Sequence, residues 1–273
     1  MKFTPVRMLL NILMLAAPML LVPQADAAQL VRIGAAHFPP YTIRPERGED
    51  TGLLPQLVSA LNSLQTDFRF ETIPTSIPRR FRDFQQGRFD VAIFENPAWG
   101  WRGIAHGDVD MGLEDAEIFV AHKVPGRTQR FFDDLSGKRL ALFSGYHYAF
   151  AHFNADPKVL TDQYNGTLTY SHDSNLQLVL RDRVSMALVT RSYLRTFMDN
   201  NPDDAGQLLV SDRVDQTYRH YALLRPASPI SARQLSELLQ RLRDNGQMDK
   251  IFQPYRIAVT TPSRALDDAG GRD

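Results

Sequence analysis

Short apolar runs of strand length alternate with segments of helical period along most of this chain, which restricts it to layered α/β architectures. Residues 30–35 read as a buried strand closed by the turn-forming Phe38-Pro39-Pro40-Tyr41. Leu54, Leu57, Val58, Leu61 and Leu64 then recur at helical spacing. A second strand is predicted over 68–73, a short helix over 79–86 stopped by Gly87, and a third strand over 90–94. Beyond Pro125-Gly126 the pattern repeats. Strands are predicted over 139–143, 168–170 and 186–189, with a helix opening at Ser144-Gly145 and another over 174–180. Residues 118–122 and 220–224 read as strands at the limits of this second region. Ser231 and Gln234 form a capping-box pair for a helix with the apolar face Leu235, Leu238, Leu239 and Leu242, ended by Asn245-Gly246.

A chain ordered in this way leaves one lobe, builds another and returns. The predicted division places 28–122 with 226–258 in the first lobe and 123–225 in the second. Ligands of open α/β sheets lie at the carboxyl ends of strands, and clefts between lobes are common ligand sites. The loops after Ala35, Phe94, Phe143 and Val189 are therefore the ones expected to carry function.

The amino terminus reads as an export signal. Lys2 and Arg7 precede an apolar run over 8–22, and Ala25-Asp26-Ala27 supplies a small-residue cleavage pattern near Ala27. That run is short for a membrane span, and Pro18 interrupts it. The 31 basic and 31 acidic residues fall to 29 and 30 once Lys2, Arg7 and Asp26 are removed. Such balance leaves no overall field to attract nucleic acid or an anionic membrane. Cysteine is absent, so neither disulfides nor the thiol that anchors a lipoprotein is present. The expected product is a soluble, untethered periplasmic protein. Its polar, Gly-rich end over 259–273 is predicted to remain an unpacked tail.

Five ordered segments carry a closer likeness: Phe38-Pro39-Pro40-Tyr41, Gly52-Leu53-Leu54-Pro55-Gln56-Leu57, Phe84-Gln85-Gln86-Gly87-Arg88-Phe89-Asp90-Val91, Leu135-Ser136-Gly137-Lys138-Arg139-Leu140, and the stretch from Asn245-Gly246 through Ile251 to Tyr255. Together they resemble the family 3 extracellular solute-binding proteins of ABC importers. The resemblance implies a two-lobed type 2 periplasmic-binding fold. Each lobe would be a mainly parallel sheet flanked by helices, with two crossing segments near 118–124 and 220–226. It also implies a monomer without cofactor or metal, whose partners are a small-molecule ligand and an ABC permease or membrane sensor.

The same resemblance implies a site. Arg102 would fork a ligand carboxylate, as a planar guanidinium does bidentately. Glu95 would receive a cationic group or pair with Arg102, and Ile77 would cover the ligand, with Arg79 as a lesser anion contact. Phe38 and Tyr41 belong to the aromatic-Pro segment, and Trp99 and Trp101 flank the Arg102 loop as packing or stacking rings. Gly145 would open a helix whose N–H groups receive an anion, while Tyr146 and His147 replace the usual threonines. At Thr190 the amino-acid binders carry an aspartate for the ligand ammonium. Threonine cannot supply that charge, so a carboxylate or other small anion is expected in place of a standard amino acid, unless Glu95 or Asp173 takes over.

Two alternatives share the scaffold: a sensor that presents ligand to a membrane receptor, and a periplasmic dehydratase-like enzyme using His147, Glu95 and Asp173. Leu142 stands where a nucleophile elbow around Ser144 needs glycine, and the His and acidic residues lack metal-ligand spacing.

Overall fold

The computed structural model describes residues 27–48 and 51–263. The expected export signal through Asp26, and the expected tail from Arg264 onward, lie outside the described residues.

In chain order the first part comprises strand β1 (Gln29–Ala35), helix α1 (Leu53–Leu64), strand β2 (Phe68–Pro74), helix α2 (Arg80–Gln85) and strand β3 (Val91–Glu95). A long strand, β4 (Gly107–His122), leads to β5 (Leu140–Phe143), α3 (Pro157–Asp162), β6 (Gly166–Thr169) and α4 (His172–Leu180). Strand β7 (Met186–Thr190) and helices α5 (Arg191–Asn200) and α6 (Pro202–Ala205) follow. A second long strand, β8 (Leu208–Leu224), returns to α7 (Ala232–Asp244), α8 (Gln247–Phe252) and the short β9 (Ala258–Val259).

The strands run in the order β2-β1-β3-β8-β4-β7-β5-β6, with β9 added to β4. Strand β1 is parallel to β2 and β3, and β5 is parallel to β6 and β7. The two parallel sets are joined by the antiparallel pair β4–β8, which runs from Gly107 opposite Leu224 to His122 opposite Leu208. Strand β4 meets the second set where Glu117 faces Thr190, and β8 meets the first where Tyr221 faces Glu95. Sequence periodicity predicted only the ends of these two strands. Their middles carry Asp110, Glu114, Asp115, Glu117, Asp215 and Gln216, and polar residues at that density conceal a buried strand.

Burial accounts for the periodic elements. Leu53, Leu54, Leu57 and Leu61 of α1 and Leu235, Leu238, Leu239 and Leu242 of α7 enter one core with β1 and β3. Helix α7 begins with the predicted capping box between Ser231 and Gln234. In the second set, Ala116, Ile118 and Val120 of β4 pack into one cluster and Phe119 and Ala121 into another. A sheet covered on both faces needs continuous apolar strands, and the run from Ile118 to Ala121 is one.

The segment after α8 departs from the expected tail. Val259 pairs with Leu113, Thr260 N–H donates to Gly112 O at 2.7 Å, and Ser263 N–H donates to Asp110 Oδ2 at 2.7 Å. Backbone pairing and the Asp110 carboxylate therefore order the chain as far as Ser263. Among the described residues, no helix is long and apolar enough to cross a membrane.

Candidate functional site

The carboxyl ends of β1, β2, β3, β5 and β6 converge on a cleft with an inner and an outer chamber. The inner one has an empty volume of about 700 Å³ counting its mouth, and the outer one about 2110 Å³. Thr75, Ile77, Arg80, Gly145 and His147 line both, so the two are continuous.

The Phe38–Tyr41 turn is fixed by its own backbone. Phe38 and Thr42 exchange N–H···O bonds of 2.9 Å, and the prolines are joined by a cis peptide. The first N–H groups of α1, which no helix can satisfy internally, donate to Pro40 O at 3.1 Å and Tyr41 O at 2.8 Å. Phe38 is thereby set in the inner chamber, edge-on to Tyr146 at 5.5 Å and Trp99 at 6.1 Å. Tyr41 does not face the chamber. Its ring is buried in the first core, and its hydroxyl donates to Asp115 Oδ2 at 2.7 Å.

Arg102 is exposed and lines neither chamber. The neighbouring indole decides this: Trp101 packs against Phe81 at 4.9 Å and Phe84 at 5.2 Å, between the left-handed turns at Gly100 and Gly103. Burying such a ring is worth about 3 kcal/mol, and it leaves the next side chain in solvent. The guanidinium of the cleft belongs instead to Arg80, which is 6% exposed. Its Nε lies 2.8 Å from Glu95 Oε1, Nη1 donates to Ile77 O at 2.5 Å, and Nη2 donates to Trp99 O at 3.3 Å. Glu95 also accepts from Trp101 Nε1 at 2.8 Å. Burial raises its carboxyl above the ordinary range, although Arg80 and Trp101 oppose the rise. Glu95 lines the chamber as expected, but its partner is Arg80 and not Arg102. Arg79 is exposed.

The helix predicted at Ser144-Gly145 is absent; a turn and a short 3₁₀ segment, Ala149–Ala151, replace it. Phe143 N–H donates to Tyr148 Oη at 2.7 Å, while Ala149 and Phe150 N–H donate to the Asp215 carboxylate at 2.7 and 2.9 Å. An acid of β8 thus occupies N–H groups of the loop expected to hold a ligand anion. Gly145, at φ +85°, approaches Ile77 so closely that a Cβ would stand 2.7 Å from Ile77 Cγ2. Tyr146 lines the inner chamber and stacks on Phe143 at 4.3 Å. His147 lines both chambers and bonds Phe153 O through Nδ1 at 2.7 Å; burial lowers its pKa.

Thr190 is fully buried and lines neither chamber, but it holds a residue that lines the inner one. Its hydroxyl donates to Glu117 Oε1 at 2.8 Å and meets His172 Nε2 at 3.1 Å. With Thr190 donating to the carboxylate, the imidazole nitrogen donates in turn. Burial pushes His172 down to about 3, so this ring is neutral. Glu117 is 3% exposed, and its Oε2 has no hydrogen-bond partner. Burial pushes its carboxyl well above the usual range. Sequence reasoning missed both Arg80 and Glu117. For Arg80 a signal existed: it shares a helical face with Asp83 and Phe84, both buried. Among the described residues, no three His, Asp or Glu side chains group to hold a metal ion.

This architecture, two parallel sets linked by two long strands with a cleft at their carboxyl ends, is the type 2 periplasmic-binding fold, as the sequence resemblance implied. Solved structures agree. A substrate-binding protein of an ABC uptake transporter from Streptococcus pneumoniae, with bound histidine, superimposes with a TM-score of 0.66 at 17% identity, covering 85% of this chain and 94% of that one. A histidine kinase sensor domain with similarity to periplasmic binding proteins gives 0.64 at 18% identity, covering 86% and 99%. The ancestral amino acid-binding protein AncCDT-1, a precursor of cyclohexadienyl dehydratase, gives 0.61 at 16% identity, covering 83% and 94%. No protein-family model matches the sequence, and no curated protein matches it.

Proposed function

We propose that this protein binds a small polar solute in the cleft and closes on it, as a periplasmic, monomeric member of the family 3 solute-binding proteins serving an ABC-type importer. The observation that carries the reading is the inner chamber, whose walls come from both parallel sets: Phe38, Ile77, Arg80 and Trp99 from one, Gly145 and Tyr146 from the other. A solute touching both walls favours the closed arrangement by its differential affinity. The predicted divisions 28–122 with 226–258 and 123–225 approximate the proposed moving lobes, but Ala116–Ala121 of β4 pack with the second set and Ala222 and Leu224 of β8 with the first, so each lobe takes in part of the β4–β8 pair that links them.

A carboxylate-bearing solute would compete with Glu95 for Arg80 and with Asp215 for the loop N–H groups, so that class fits this cleft less well. A ligand-presenting sensor is the second reading, supported by the likeness to the kinase sensor domain. Binding without turnover is favoured over dehydration. The histidines that line the cleft, His37, His147 and His172, have their pKa values lowered by burial and are engaged with protein groups.

The test is a metabolite screen read by melting temperature, followed by small-angle scattering with each hit. A rise of several degrees together with a smaller radius of gyration supports the reading. Hits that raise the melting temperature without compaction would refute closure, and product formation at catalytic protein levels would make the protein an enzyme.

A further inference from the structure

The cleft holds two devices suited to an anion, and each already faces an acid of the protein. Arg80 is matched by Glu95 at 2.8 Å, and the N–H groups of Ala149 and Phe150 are matched by Asp215. The opposite situation holds deeper in the chamber. Glu117 is 3% exposed and lines the cavity, with one oxygen bonded to Thr190 and the other unpartnered. The Tyr146 hydroxyl is also buried without a partner, and the Tyr218 side chain lies near enough to Glu117 to favour its charged form. A buried polar atom left unpaired is costly, and native proteins seldom retain one without use.

Resting on the solute-binding reading, we propose that the inner chamber takes a protonated primary amine borne on a flat apolar body, with Glu117 as counter-ion and without a carboxylate on the solute. An ammonium offers three donors, and Glu117 Oε2 and Tyr146 Oη, both on residues that line the chamber, are unpartnered oxygens that could accept them. The rings of Phe38, Trp99 and Tyr146 give the apolar body its contacts, and aromatic faces tolerate a nearby cation. No cation among the described residues answers Glu117: Arg80 pairs with Glu95, and Arg191 lies 3.8 Å from Asp115.

The charge environment sets a pH signature. Facing or neighbouring Glu117 are Asp115 of its own strand, Asp215 and Tyr218 of β8, Thr190 of β7, His172 of α4, and Tyr146 and Tyr148 of the β5 loop. Burial, with Asp115 and Asp215 adding to it, favours the protonated acid in the empty chamber. An ammonium must therefore displace that proton, so affinity rises with pH until Glu117 ionises without ligand.

Calorimetric titration with three phenyl-bearing probes, phenethylamine (amine only), phenylalanine (amine and carboxylate) and 3-phenylpropionate (carboxylate only), tests this. The expected result is that phenethylamine binds most tightly, by tenfold or more over phenylpropionate. Its affinity should rise with pH, by at most about tenfold per pH unit, one proton being released per amine bound. Glu117→Gln should lose most of that affinity and all of the pH dependence while keeping its circular dichroism and melting transition. Tighter binding of phenylpropionate, affinity that falls with rising pH, or amine binding unchanged in Glu117→Gln would each overturn the proposal. If none of the probes binds while the metabolite screen still finds a compacting solute, the amine assignment fails and the solute-binding reading stands. Failure of both removes the latter as well.

Discussion

Thr190 Oγ1 donates to Glu117 Oε1 across 2.8 Å, between residues that face each other in the β4–β7 pairing. The position where the resembled family carries an acid and this chain does not therefore sits directly beside one, supplied by the adjacent strand. Replacing Thr190 with valine keeps the shape and leaves both the acid and the imidazole without their shared partner. The expected loss is about 1–3 kcal/mol of unfolding free energy in urea, with Thr190→Ser close to the parent. Equal stability of the two variants would show that the hydroxyl carries no structural weight.

The two arginines of the first half should separate cleanly. Arg80→Ala leaves buried Glu95 without its counter-charge, a change that costs about 3–5 kcal/mol in comparable buried pairs. Arg102→Ala removes an exposed side chain and should stay within about 0.5 kcal/mol of the parent, with solute affinity unchanged. Denaturant unfolding of both variants, with binding measured on the second, checks the assignment. A loss of solute affinity in Arg102→Ala would restore that residue to the site.

Acid stability should depend on Asp90. This carboxylate accepts from Arg32 N and Nε at 3.0 Å, from Arg32 Nη2 at 2.8 Å and from Arg225 Nη2 at 3.0 Å. Burial works against its charge, but the bonds from Arg32 and Arg225 prevail and hold its pKa below the ordinary aspartate range. A group depressed in the folded state contributes stability above its unfolded pKa, about 3.9, and loses it as the pH falls through the folded value. Asp90→Asn should therefore lower stability at pH 7 and flatten the decline below about pH 4, read by urea unfolding across pH 2.5–7. An unchanged acid limb in the variant would mean other carboxylates set it.

The sequence revealed the elements whose burial repeats with a helical or strand period. Leu235, Leu238, Leu239 and Leu242 mark α7 because one face of the helix alone meets the core. Strands β4 and β8 were readable only at their ends, since Asp115 and Glu117 are buried by partners distant in sequence: Tyr41 for the first, Thr190 for the second. The site followed the same rule. Phe38, Ile77, Trp99, Gly145, Tyr146 and His147 come together at the chamber because each lies in a loop at a strand end. Arg102 does not, because the packing of Trp101 outweighs a spacing that looked right. Likewise, the loop after β5 was predicted to be open to an anion because nothing nearby in sequence announces that Asp215, some 65 residues on, fills it.

Closure itself should hinge on the contact between Gly145 and Ile77. Gly145 stands at φ +85°, and an added Cβ would lie 2.7 Å from Ile77 Cγ2, well inside contact distance. Gly145→Ala therefore suffers twice. The backbone strain, of order 1–3 kcal/mol, persists in any arrangement that keeps this turn, whereas the clash with Ile77 exists only while the two walls meet. A double variant with Ile77→Ala relieves the second cost and not the first. Scattering with and without a solute should accordingly show Gly145→Ala remaining expanded when ligand is added, with weakened affinity, and the double variant compacting again. If Gly145→Ala compacts like the parent, the contact is incidental to closure. If the double variant stays expanded, the turn's backbone is the obstacle and not the Ile77 side chain.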